Sequence, residues 1–201
     1  MFSGIVQEIG KVVSITGQMT KTLGIEIQQS TQCKIGDSVS VNGVCLTVTQ
    51  LEPLDHGMCV YFDVVAETLK KTNLASLSVM DWVNIEHAMC YGDAIGGHMV
   101  QGHVDTTGQI VQIQPDDLAW HVVISASSEF LKYVVEKGFI SIDGMSLTVI
   151  DVFQTQFSIT LIPHTMSHTI AQYYHQDSVV NLEADMTAKY IERYVRKYQH
   201  V

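Results

Sequence analysis

A hairpin pattern that occurs twice constrains the fold of this 201-residue chain more than any other feature. Residues 38–49 read Ser-Val-Ser-Val-Asn-Gly-Val-Cys-Leu-Thr-Val-Thr, and residues 140–150 read Ile-Ser-Ile-Asp-Gly-Met-Ser-Leu-Thr-Val-Ile. In both segments an alternating pattern flanks an Asn-Gly or Asp-Gly pair, which predicts two antiparallel strands joined by a tight turn. The two copies differ at a chemically important place, where Cys45 corresponds to Ser146.

The repeat extends over most of the chain at a nearly constant offset. Met1 aligns with Met99, Asn42 with Asp143, and residues 83–89 with residues 180–186, so the offset stays between 97 and 101 residues. The last pair shares the pattern Val-Asn-x-Glu-x-x-Met. Such regularity indicates an internal duplication. Each half contains short strand-like segments separated by Gly, Asn and Asp, which is typical of a small closed antiparallel barrel.

Two segments have the apolar spacing of helices. The first, residues 127–137, predicts an apolar face from Phe130 to Val135, with Ser127 or Ser128 as N-cap and Gly138 after the end. The second, residues 187–200, carries apolar and aromatic residues at three- and four-residue spacing. The first half has no equivalent of this second segment. Its apolar stripe is therefore expected to pack on the barrels or on the same helix of another subunit.

Charge and cysteine content argue against several classes of protein. The net charge of −10 disfavours nucleic acid and anionic membranes as partners, because both are bound through clustered Lys and Arg. The N-terminus lacks the basic segment of a signal peptide, and no apolar run approaches the roughly 18 residues that would span a bilayer. Four cysteines without a CxxC pair fit a reducing cytoplasm, and Cys33, Cys59 and Cys90 are expected to pack in the core.

Several motifs carry a resemblance that covers the chain from Met1 to about Tyr194. They are the opening Met1-Phe-Ser-Gly-Ile-Val, Asn42-Gly-Val-Cys-Leu-Thr-Val-Thr, Glu67-Thr-Leu with Thr72-Asn-Leu, Gly96-Gly-His-Met-Val-Gln-Gly-His-Val, Lys137-Gly-Phe-Ile, Asp143-Gly-Met-Ser-Leu-Thr-Val and Ile162-Pro-His-Thr. Each motif alone is weakly informative, but their order and spacing are specific. In these motifs the chain closely resembles the riboflavin synthase family, whose subunits contain two lumazine-binding barrels.

The resemblance implies a fold and a domain organisation. The implied fold is all-β, with two tandem duplicated six-stranded antiparallel Greek-key barrels and a C-terminal α-helix. The implied domains are an N-terminal lumazine-binding barrel at residues 1–97, a C-terminal one at residues 98–186, and a trimerisation helix at residues 187–201.

The resemblance also implies a reaction, the final step of riboflavin biosynthesis. One molecule of 6,7-dimethyl-8-ribityllumazine receives a four-carbon unit from a second and becomes riboflavin, and the donor leaves as 5-amino-6-(D-ribitylamino)uracil. No cofactor or metal is implied. The implied assembly is a cytoplasmic homotrimer, with the reacting pair between the first barrel of one subunit and the second barrel of its neighbour. Association with a lumazine synthase shell is a further expectation.

Four residues at family positions are expected to carry the chemistry. Cys45 is a candidate nucleophile or charge stabiliser, with core packing as the alternative. His103 is the candidate base for the lumazine C7 methyl proton, because a neutral imidazole accepts protons near pH 7 and the repeat has Ile5 at the equivalent position. The alternative for His103 is a hydrogen-bonded structural role. Ser146 and Thr148 complete the set.

Ligand contacts are expected at further family positions. Hydroxyl and carboxylate groups would bind the ribityl chain and main chain would meet the ring edges, although strand threonines also occur for their β-propensity. The expected contacts are Gly4, Ile5, Val6, Ser38, Cys45, Leu46, Thr47, Asp63, Val64, Val65, Ala66, Glu67 and Thr68 in the first half, and Gly102, His103, Val104, Lys137, Ser146, Leu147, Thr148, Thr160, Leu161, Ile162, Pro163, His164, Thr165 and Asp185 in the second. For Lys137 and Asp185 the alternative is a surface ion pair.

Metal binding by the histidines is not expected. His98 and His103 would face opposite sides of a strand, since they are five residues apart. His164 and His168 would share a helical face, but a turn begun by Pro163 is expected there instead of a regular helix.

The two pockets are expected to differ chemically. Glu67 and His164 are repeat equivalents, as are Cys45 and Ser146, so one bound lumazine can donate and the other accept. The first pocket, with Cys45, Thr47 and Glu67, is expected to bind more tightly. Stacking the two ligands in one orientation is expected to contribute more to the rate than any single side chain.

Three other functions share parts of this pattern. A non-catalytic antenna protein that holds lumazine or flavin would have the same barrels but fewer polar pocket residues. A flavin-dependent reductase would need a nucleotide-binding domain, and no GxGxxG follows a predicted strand. A purely structural assembly module would explain the C-terminal helix but not the unequal polar residues.

Overall fold

Twelve strands and four short helices make up the part of the chain that the computed structural model describes, residues 1–28, 33–116 and 118–198. The first six strands are β1 (Glu8–Thr16), β2 (Lys21–Ile27), β3 (Ser38–Val41), β4 (Val44–Pro53), β5 (Met58–Val64) and β6 (Trp82–His87). The other six are β7 (Thr106–Asp116), β8 (Ala119–Ser125), β9 (Phe139–Ile142), β10 (Met145–Val152), β11 (Gln156–Leu161) and β12 (Val179–Ala184). The helices are α1 (Ala66–Lys71), α2 (Ser128–Leu131), α3 (Pro163–His168) and α4 (Met186–Tyr198), and 3₁₀ turns span Asn73–Ser76 and Ile170–Tyr173.

The strands form two closed barrels with the same connectivity. The first has the cyclic order β1-β2-β5-β4-β3-β6, and the second has the equivalent order β7-β8-β11-β10-β9-β12, with all pairs antiparallel. Strand β2 pairs with β5 instead of β3, which makes each barrel a Greek key. The prediction of two duplicated six-stranded barrels is confirmed. The division between them at residue 97 remains a prediction.

Alternation along the repeated hairpin separates a core face from an outer face. In β4, Val44, Leu46 and Val48 are buried in the first core, while Cys45 and Thr47 point outward. The equivalent strand β10 has the same alternation, and each barrel closes over its own apolar cluster. Because side chains alternate with period two, the register that buries the valines also fixes the outward direction of the polar positions.

The helical predictions were partly wrong. Helix α2 ends at Leu131 instead of Lys137, and Val134 is buried by the turns that follow it. Ser127 caps the helix as expected, since its Oγ accepts a hydrogen bond from the Phe130 N–H at 3.3 Å. The spacing of the apolar residues predicts one long helix, whereas in the folded chain four helical residues followed by turns bury the same side chains. Helix α4 is confirmed up to Tyr198, and residues 199 and 200 of that prediction lie outside the described residues.

The segments before β1 and β7 cross between the barrels. Phe2 is fully buried and forms a bridge with Val100, its repeat equivalent, through hydrogen bonds of 2.8 and 3.0 Å between their main chains. Beyond this bridge, Val6 packs against the core of the second barrel, and Val104 packs against the core of the first. Each barrel is therefore completed by a segment that precedes the other.

The tips of the two repeated hairpins meet at the axis that relates the barrels. A Cβ atom on Gly43 would lie 2.6 Å from the Gly144 nitrogen, and one on Gly144 would lie 2.9 Å from the Gly43 nitrogen. Both glycines also have φ near +80°, which side chains rarely adopt. The Asn-Gly and Asp-Gly pairs thus form the turns and also allow the two backbones to approach.

Buried asparagines join the two tips in a symmetric way. The Asn84 Nδ2 donates to the Asp143 carbonyl, and the Asn181 Nδ2 donates to the Asn42 carbonyl, both at 2.8 Å. The Asn84 N–H donates to Asn42 Oδ1 at 2.7 Å, and the Asn181 N–H donates to Asp143 Oδ1 at 2.8 Å. Asn42 and Asp143 are repeat equivalents, and so are Asn84 and Asn181. The duplication therefore provides both halves of the contact between the barrels.

One member of this contact carries a titratable group. The Asp143 carboxylate is buried and accepts further hydrogen bonds from Asn73 Nδ2 at 2.9 Å and from the Tyr174 hydroxyl at 2.6 Å. Burial raises the pKa of Asp143 from 3.8 to about 6, although its donors oppose the shift. The contribution of this group to stability is therefore complete below pH 3.8 and is lost as the pH rises through about 6.

The substitution Asp143→Asn should remove this pH dependence. Asparagine already occupies the equivalent position, Asn42, and tolerates the positive φ of 45° at residue 143. The free energy of unfolding of the wild-type protein should fall by up to about 3 kcal/mol more than that of the variant between pH 4 and pH 7. Urea unfolding across this range, at one protein concentration, measures the difference.

Asp177→Asn is the matched control, because Asp177 is exposed and has a positive φ of 72°. It should leave the pH profile of stability unchanged. An Asp143→Asn profile that is parallel to that of the wild type would show that Asp143 does not titrate as described.

Candidate functional site

The first candidate pocket is the outer face of the first barrel around Cys45 and Thr47. Thr47 is exposed, Cys45 is half-buried, and Ser38 lies opposite Thr47 in the register of β3 and β4. Residues 102–104 run along this face, where the Gly102 carbonyl accepts a hydrogen bond from the Cys45 N–H at 2.8 Å. The exposed His103 follows immediately, so the fold brings the candidate nucleophile and the candidate base to one surface.

Glycine is required where this segment touches Cys45. A Cβ on Gly102 would lie 2.5 Å from Cys45 Cβ and 2.8 Å from its nitrogen, and the φ of Gly102 is +78°. The close approach fixes the position of the Cys45 main chain relative to residues 102–104.

The end of β5 and the start of α1 carry the remaining first-half predictions. Asp63 is exposed and accepts a hydrogen bond from Thr22 Oγ1 at 2.7 Å. Glu67 is exposed and forms an ion pair with Lys71 at 3.0 Å, and hydrogen bonding to Lys71 lowers the pKa of Glu67. Thr68 lies on the same helix and is half-buried. These groups are accessible to a ligand that approaches from solvent.

The second candidate pocket is built in the same way around Ser146 and Thr148. The Gly4 carbonyl accepts a hydrogen bond from the Ser146 N–H at 2.7 Å, and a Cβ on Gly4 would lie 2.5 Å from Ser146 Cβ. Ile5 follows as an exposed residue, in the place that His103 has in the first pocket. Segments 4–6 and 102–104 therefore serve the pocket of the opposite barrel.

The second pocket contains a histidine, His98, that is not among the residues predicted to contact a ligand. His98 is 7% exposed, its Nδ1 lies 2.7 Å from Ser146 Oγ, and its ring stacks on Phe139 at 5.2 Å. Burial lowers the pKa of His98, although the nearby Asp185 opposes the shift, so the neutral imidazole is favoured at pH 7. Gly97 leaves room for the serine, since a Cβ there would lie 2.4 Å from Ser146 Cβ. The Gly96-Gly-His motif was the available signal.

The other second-half residues that are predicted to contact a ligand differ in exposure and in position. Thr160, Ile162, Pro163 and His164 are exposed at the end of β11 and the start of α3, and Thr165 is half-buried there. Lys137 lies in the turn before β9 with a φ of +62°. Asp185 precedes α4, and its Oδ1 accepts a hydrogen bond from the Thr187 N–H at 2.7 Å, so it caps the N-terminus of this helix.

A cleft of about 300 Å³ adjoins the second pocket. Its walls include Gly138, Phe139 and Asp185 on one side and Ile191 and Val195 of α4 on the other. Phe139 also lies opposite Thr148 in the register of β9 and β10. The cleft thus connects the Ser146 surface with the apolar face of α4.

Four predicted contacts have side chains in the barrel cores. Leu46, Val64, Leu147 and Leu161 are buried there and could meet a ligand only through their main chains. Val65 and Ala66 are exposed. The outward positions of the same strands carry the polar groups, as the alternation requires.

Two premises about the histidines were wrong. His98 and His103 do not share a strand, because the segment between them forms only the bridge at Val100. Residues 163–168 do form a helix, with Pro163 at its first turn, and the rings of His164 and His168 stack at 4.1 Å. Within residues 1–28, 33–116 and 118–198, no group of three or more His, Cys, Asp or Glu could hold a metal ion.

The four cysteines are unpaired. Cys33 and Cys59 are buried as expected, whereas Cys90 is exposed, so its core prediction was wrong. Cys90 lies in the turn after β6, where the Asp93 carboxylate accepts a hydrogen bond from its N–H at 2.6 Å.

None of the helices in the described part of the chain is long and apolar enough to cross a membrane.

The lumazine binding domain model matches the chain twice, at residues 3–88 and 101–185, in agreement with the duplicated barrels and pockets. The riboflavin synthase of Actinobacillus pleuropneumoniae is 39% identical over 199 residues, which are 98% of this chain and 91% of that protein. The chain belongs to the riboflavin synthase family. The riboflavin synthase of Escherichia coli strain K12 is 40% identical over 191 residues, 92% of this chain and 87% of that protein. The Schizosaccharomyces pombe enzyme is 37% identical over 202 residues, with coverages of 98% and 95%.

Solved structures of LumP share the fold of this riboflavin synthase family member. LumP complexed with riboflavin has a TM-score of 0.84 and 24% identity, and covers 92% of this chain and 100% of that chain. LumP complexed with 6,7-dimethyl-8-(1'-D-ribityl) lumazine has a TM-score of 0.81 and 23% identity, with coverages of 92% and 99%. At this identity the likeness establishes the double-barrel architecture.

The close contact at Gly102 can be tested by adding one methyl group. Gly102→Ala should lower the free energy of unfolding by about 1 kcal/mol for the positive φ and by a further 1–3 kcal/mol, roughly, for the contact with Cys45. Urea unfolding at fixed protein concentration measures the loss.

Gly36→Ala is the matched control, since Gly36 has a φ of +92° and no atom within 4 Å of its would-be Cβ. It should show only the smaller, conformational loss. Equal losses for the two variants would contradict the tight packing of residue 102 on Cys45.

Proposed function

We propose that this protein is a riboflavin synthase that converts two molecules of 6,7-dimethyl-8-ribityllumazine into riboflavin and 5-amino-6-(D-ribitylamino)uracil. The observation that supports this proposal most directly is a pair of pockets that are equivalent in position but differ in their side chains. The first pocket has Cys45 and His103, and the second has Ser146, Ile5 and His98. A reaction between two identical molecules needs two similar binding surfaces, and transfer in one direction needs them to differ. The curated relatives of similar length support the same conclusion.

Orientation of the two ligands is the main contribution that the barrels make. Holding two reactants in a reactive geometry can give effective molarities on the order of 10⁵–10⁸ M, whereas one acid–base group typically supplies about 10²–10⁴-fold. The pocket surfaces lie on barrel strands and on segments locked by main-chain hydrogen bonds, so they are suited to fixing a planar ring. Variants that block a whole pocket should therefore lose more activity than those that lack one polar group.

The reacting pair is completed by a neighbouring subunit in this proposal. Thr47 and Thr148 are both exposed, so neither pocket is covered by the other barrel of the same chain. Helix α4 leaves Tyr190, Ile191 and Tyr194 about 60% exposed, which supports burial of this face in a homotrimer. The first pocket of one subunit would then face the second pocket of the next.

The side chains have distinct roles in this proposal. His103 takes a proton from the C7 methyl of one lumazine, and Cys45 adds to or stabilises the partner ring. In the second pocket, Ser146 and Thr148 orient a lumazine through their hydroxyl groups. The ribityl chains, which are neutral polyols, are bound by the exposed hydroxyl and carboxylate groups near Asp63, Glu67 and Thr165.

A non-catalytic lumazine or flavin carrier is the alternative, because the LumP structures share the fold. The polar residues of both pockets favour the enzyme.

Unpaired cysteines fit the expected cytoplasmic location. The domain division at residues 97 and 186, the tighter binding of the first pocket and association with a lumazine synthase shell remain predictions.

When the protein is incubated with 6,7-dimethyl-8-ribityllumazine alone, riboflavin should form. The visible absorbance of riboflavin measures its formation over time. A carrier would bind lumazine without this change.

Cys45→Ser should lower kcat by up to about 10²-fold with little change in lumazine affinity, because a hydroxyl is a weaker nucleophile at neutral pH. Cys90→Ser, at an exposed cysteine outside both pockets, is the control and should retain full activity. Unchanged turnover in Cys45→Ser would return Cys45 to a packing role.

The site between subunits can be tested with matched blocked pockets. Thr47→Trp and Thr148→Trp each place a large ring on one pocket at an exposed position, so each homo-oligomer should be inactive. Differently tagged variants, co-expressed and purified through both tags, should regain activity at about one third of their sites, because a cyclic trimer that contains both variants has two open pockets at one of its three sites. Native mass spectrometry confirms the mixed assemblies. Inactive mixed assemblies would place both reacting pockets on one chain.

A further inference from the structure

Two buried carboxylates occupy equivalent places in the barrels and have no role in the reaction described above. Glu86 in β6 and Glu183 in β12 are each 3% exposed and belong to the repeated Val-Asn-x-Glu pattern. Glu86 accepts hydrogen bonds from the Ser3 N–H at 2.7 Å, the Ser3 hydroxyl at 2.8 Å and the Gly4 N–H at 3.1 Å. Glu183 Oε1 accepts one from the Gln101 N–H at 2.8 Å. Each carboxylate thus anchors the segment that precedes its own barrel.

The anchored segments are those that hold the pocket residues of the opposite barrel. The Gly4 carbonyl binds the Ser146 N–H, and the Gly102 carbonyl binds the Cys45 N–H. Neither glycine has space for a Cβ, so a shift of the segment must displace the pocket residue. The connection therefore runs from a carboxylate of one barrel to a reacting surface of the other.

The second pocket is connected to Glu86 by an additional contact. The Ser3 carbonyl accepts a hydrogen bond from the His98 N–H at 3.1 Å, and the His98 ring lies against Ser146 Oγ. Both the main chain and the side chain of the second pocket thus depend on the segment that Glu86 holds.

The two anchors differ in strength. Both oxygens of Glu86 accept hydrogen bonds, whereas Glu183 Oε2 is buried without a hydrogen-bond partner. Ser3 supplies a hydroxyl where the repeat has Gln101. Burial raises the pKa of both carboxyl groups, while the main-chain donors, Ser3 and Gly4 for Glu86 and Gln101 for Glu183, lower it. The second pocket is held by more hydrogen bonds than the first.

We infer that Glu86 and Glu183 are positioning residues that act across the barrels, Glu86 on the Ser146–His98 pocket and Glu183 on the Cys45–His103 pocket. This inference rests on the proposed function only in assigning the reaction, because the connection itself is a property of the fold. It predicts crossed effects, in which a change in one barrel perturbs the pocket of the other.

The substitutions Glu86→Asp and Glu183→Asp test the crossing. Each keeps the charge but withdraws the carboxylate by one methylene, which should break the anchoring hydrogen bonds. Glu183→Asp should raise the rate of Cys45 alkylation by iodoacetamide about fivefold, the factor that corresponds to one lost hydrogen bond. Peptide mass mapping separates Cys45 from the exposed Cys90. Glu86→Asp should leave the rate within about twofold of the wild type.

The reverse pattern is expected at the second pocket. Glu86→Asp should shift the titration of the His98 ring in NMR spectra, whereas Glu183→Asp should leave it unchanged. Glu86→Gln and Glu183→Gln, which keep the side-chain length, serve as second variants if an aspartate variant does not fold. Glu129→Gln, at an exposed carboxylate paired with Lys132 at 2.8 Å, is the surface control.

The outcomes separate this inference from the proposed function. Crossed effects support the positioning roles even if the wild-type protein forms no riboflavin, a result that would overturn only the proposed reaction. If each substitution perturbs the pocket of its own barrel, both pockets equally, or neither pocket, the positioning roles are wrong.

Discussion

The contact between the two hairpin tips is the constraint on which the rest of the structure depends. Gly43 and Gly144 allow the two turns to meet, and Asn84 and Asn181 each donate across the axis to the main chain of the other tip. Buried amides and carbonyls that lose such partners are costly, because water cannot replace them. The arrangement of the two barrels is therefore fixed by polar groups that only this docking satisfies, and the pockets on both sides of the axis are fixed with it.

Duplication alone would give two equivalent pockets, and the differences between them are consequently informative. The scaffold is retained in both halves: outward positions of β4 and β10, a glycine carbonyl against each pocket residue, and a buried glutamate behind each glycine. The side chains placed on that scaffold differ, with Cys45 and His103 on one side and Ser146 with His98 on the other. In the proposed reaction between two copies of one substrate, the common frame would orient both molecules and the unequal side chains would distinguish the donor from the acceptor.

Much of the fold and part of the site could be predicted from the sequence. The alternating hairpins, their glycine turns and the constant offset define strands and a duplication, because side-chain period and turn conformation are local properties. The long helix after Ser127 was predicted wrongly, since burial of Val134 by a turn gives the same apolar spacing. The pocket roles of His98 and Glu86 were missed, because their partners Ser146 and Ser3 are 48 and 83 residues away.

The sequence by itself determined the two barrels, the two-residue alternation along the repeated hairpins and membership of a family, because these follow from local pattern and from motif order. Only the tertiary structure decided that residues 102–104 complete the first pocket and residues 4–6 the second. The physical reason is the crossing of the segments at Phe2 and Val100, a pairing between distant residues whose stability comes from burial and main-chain hydrogen bonds that exist only in the folded chain.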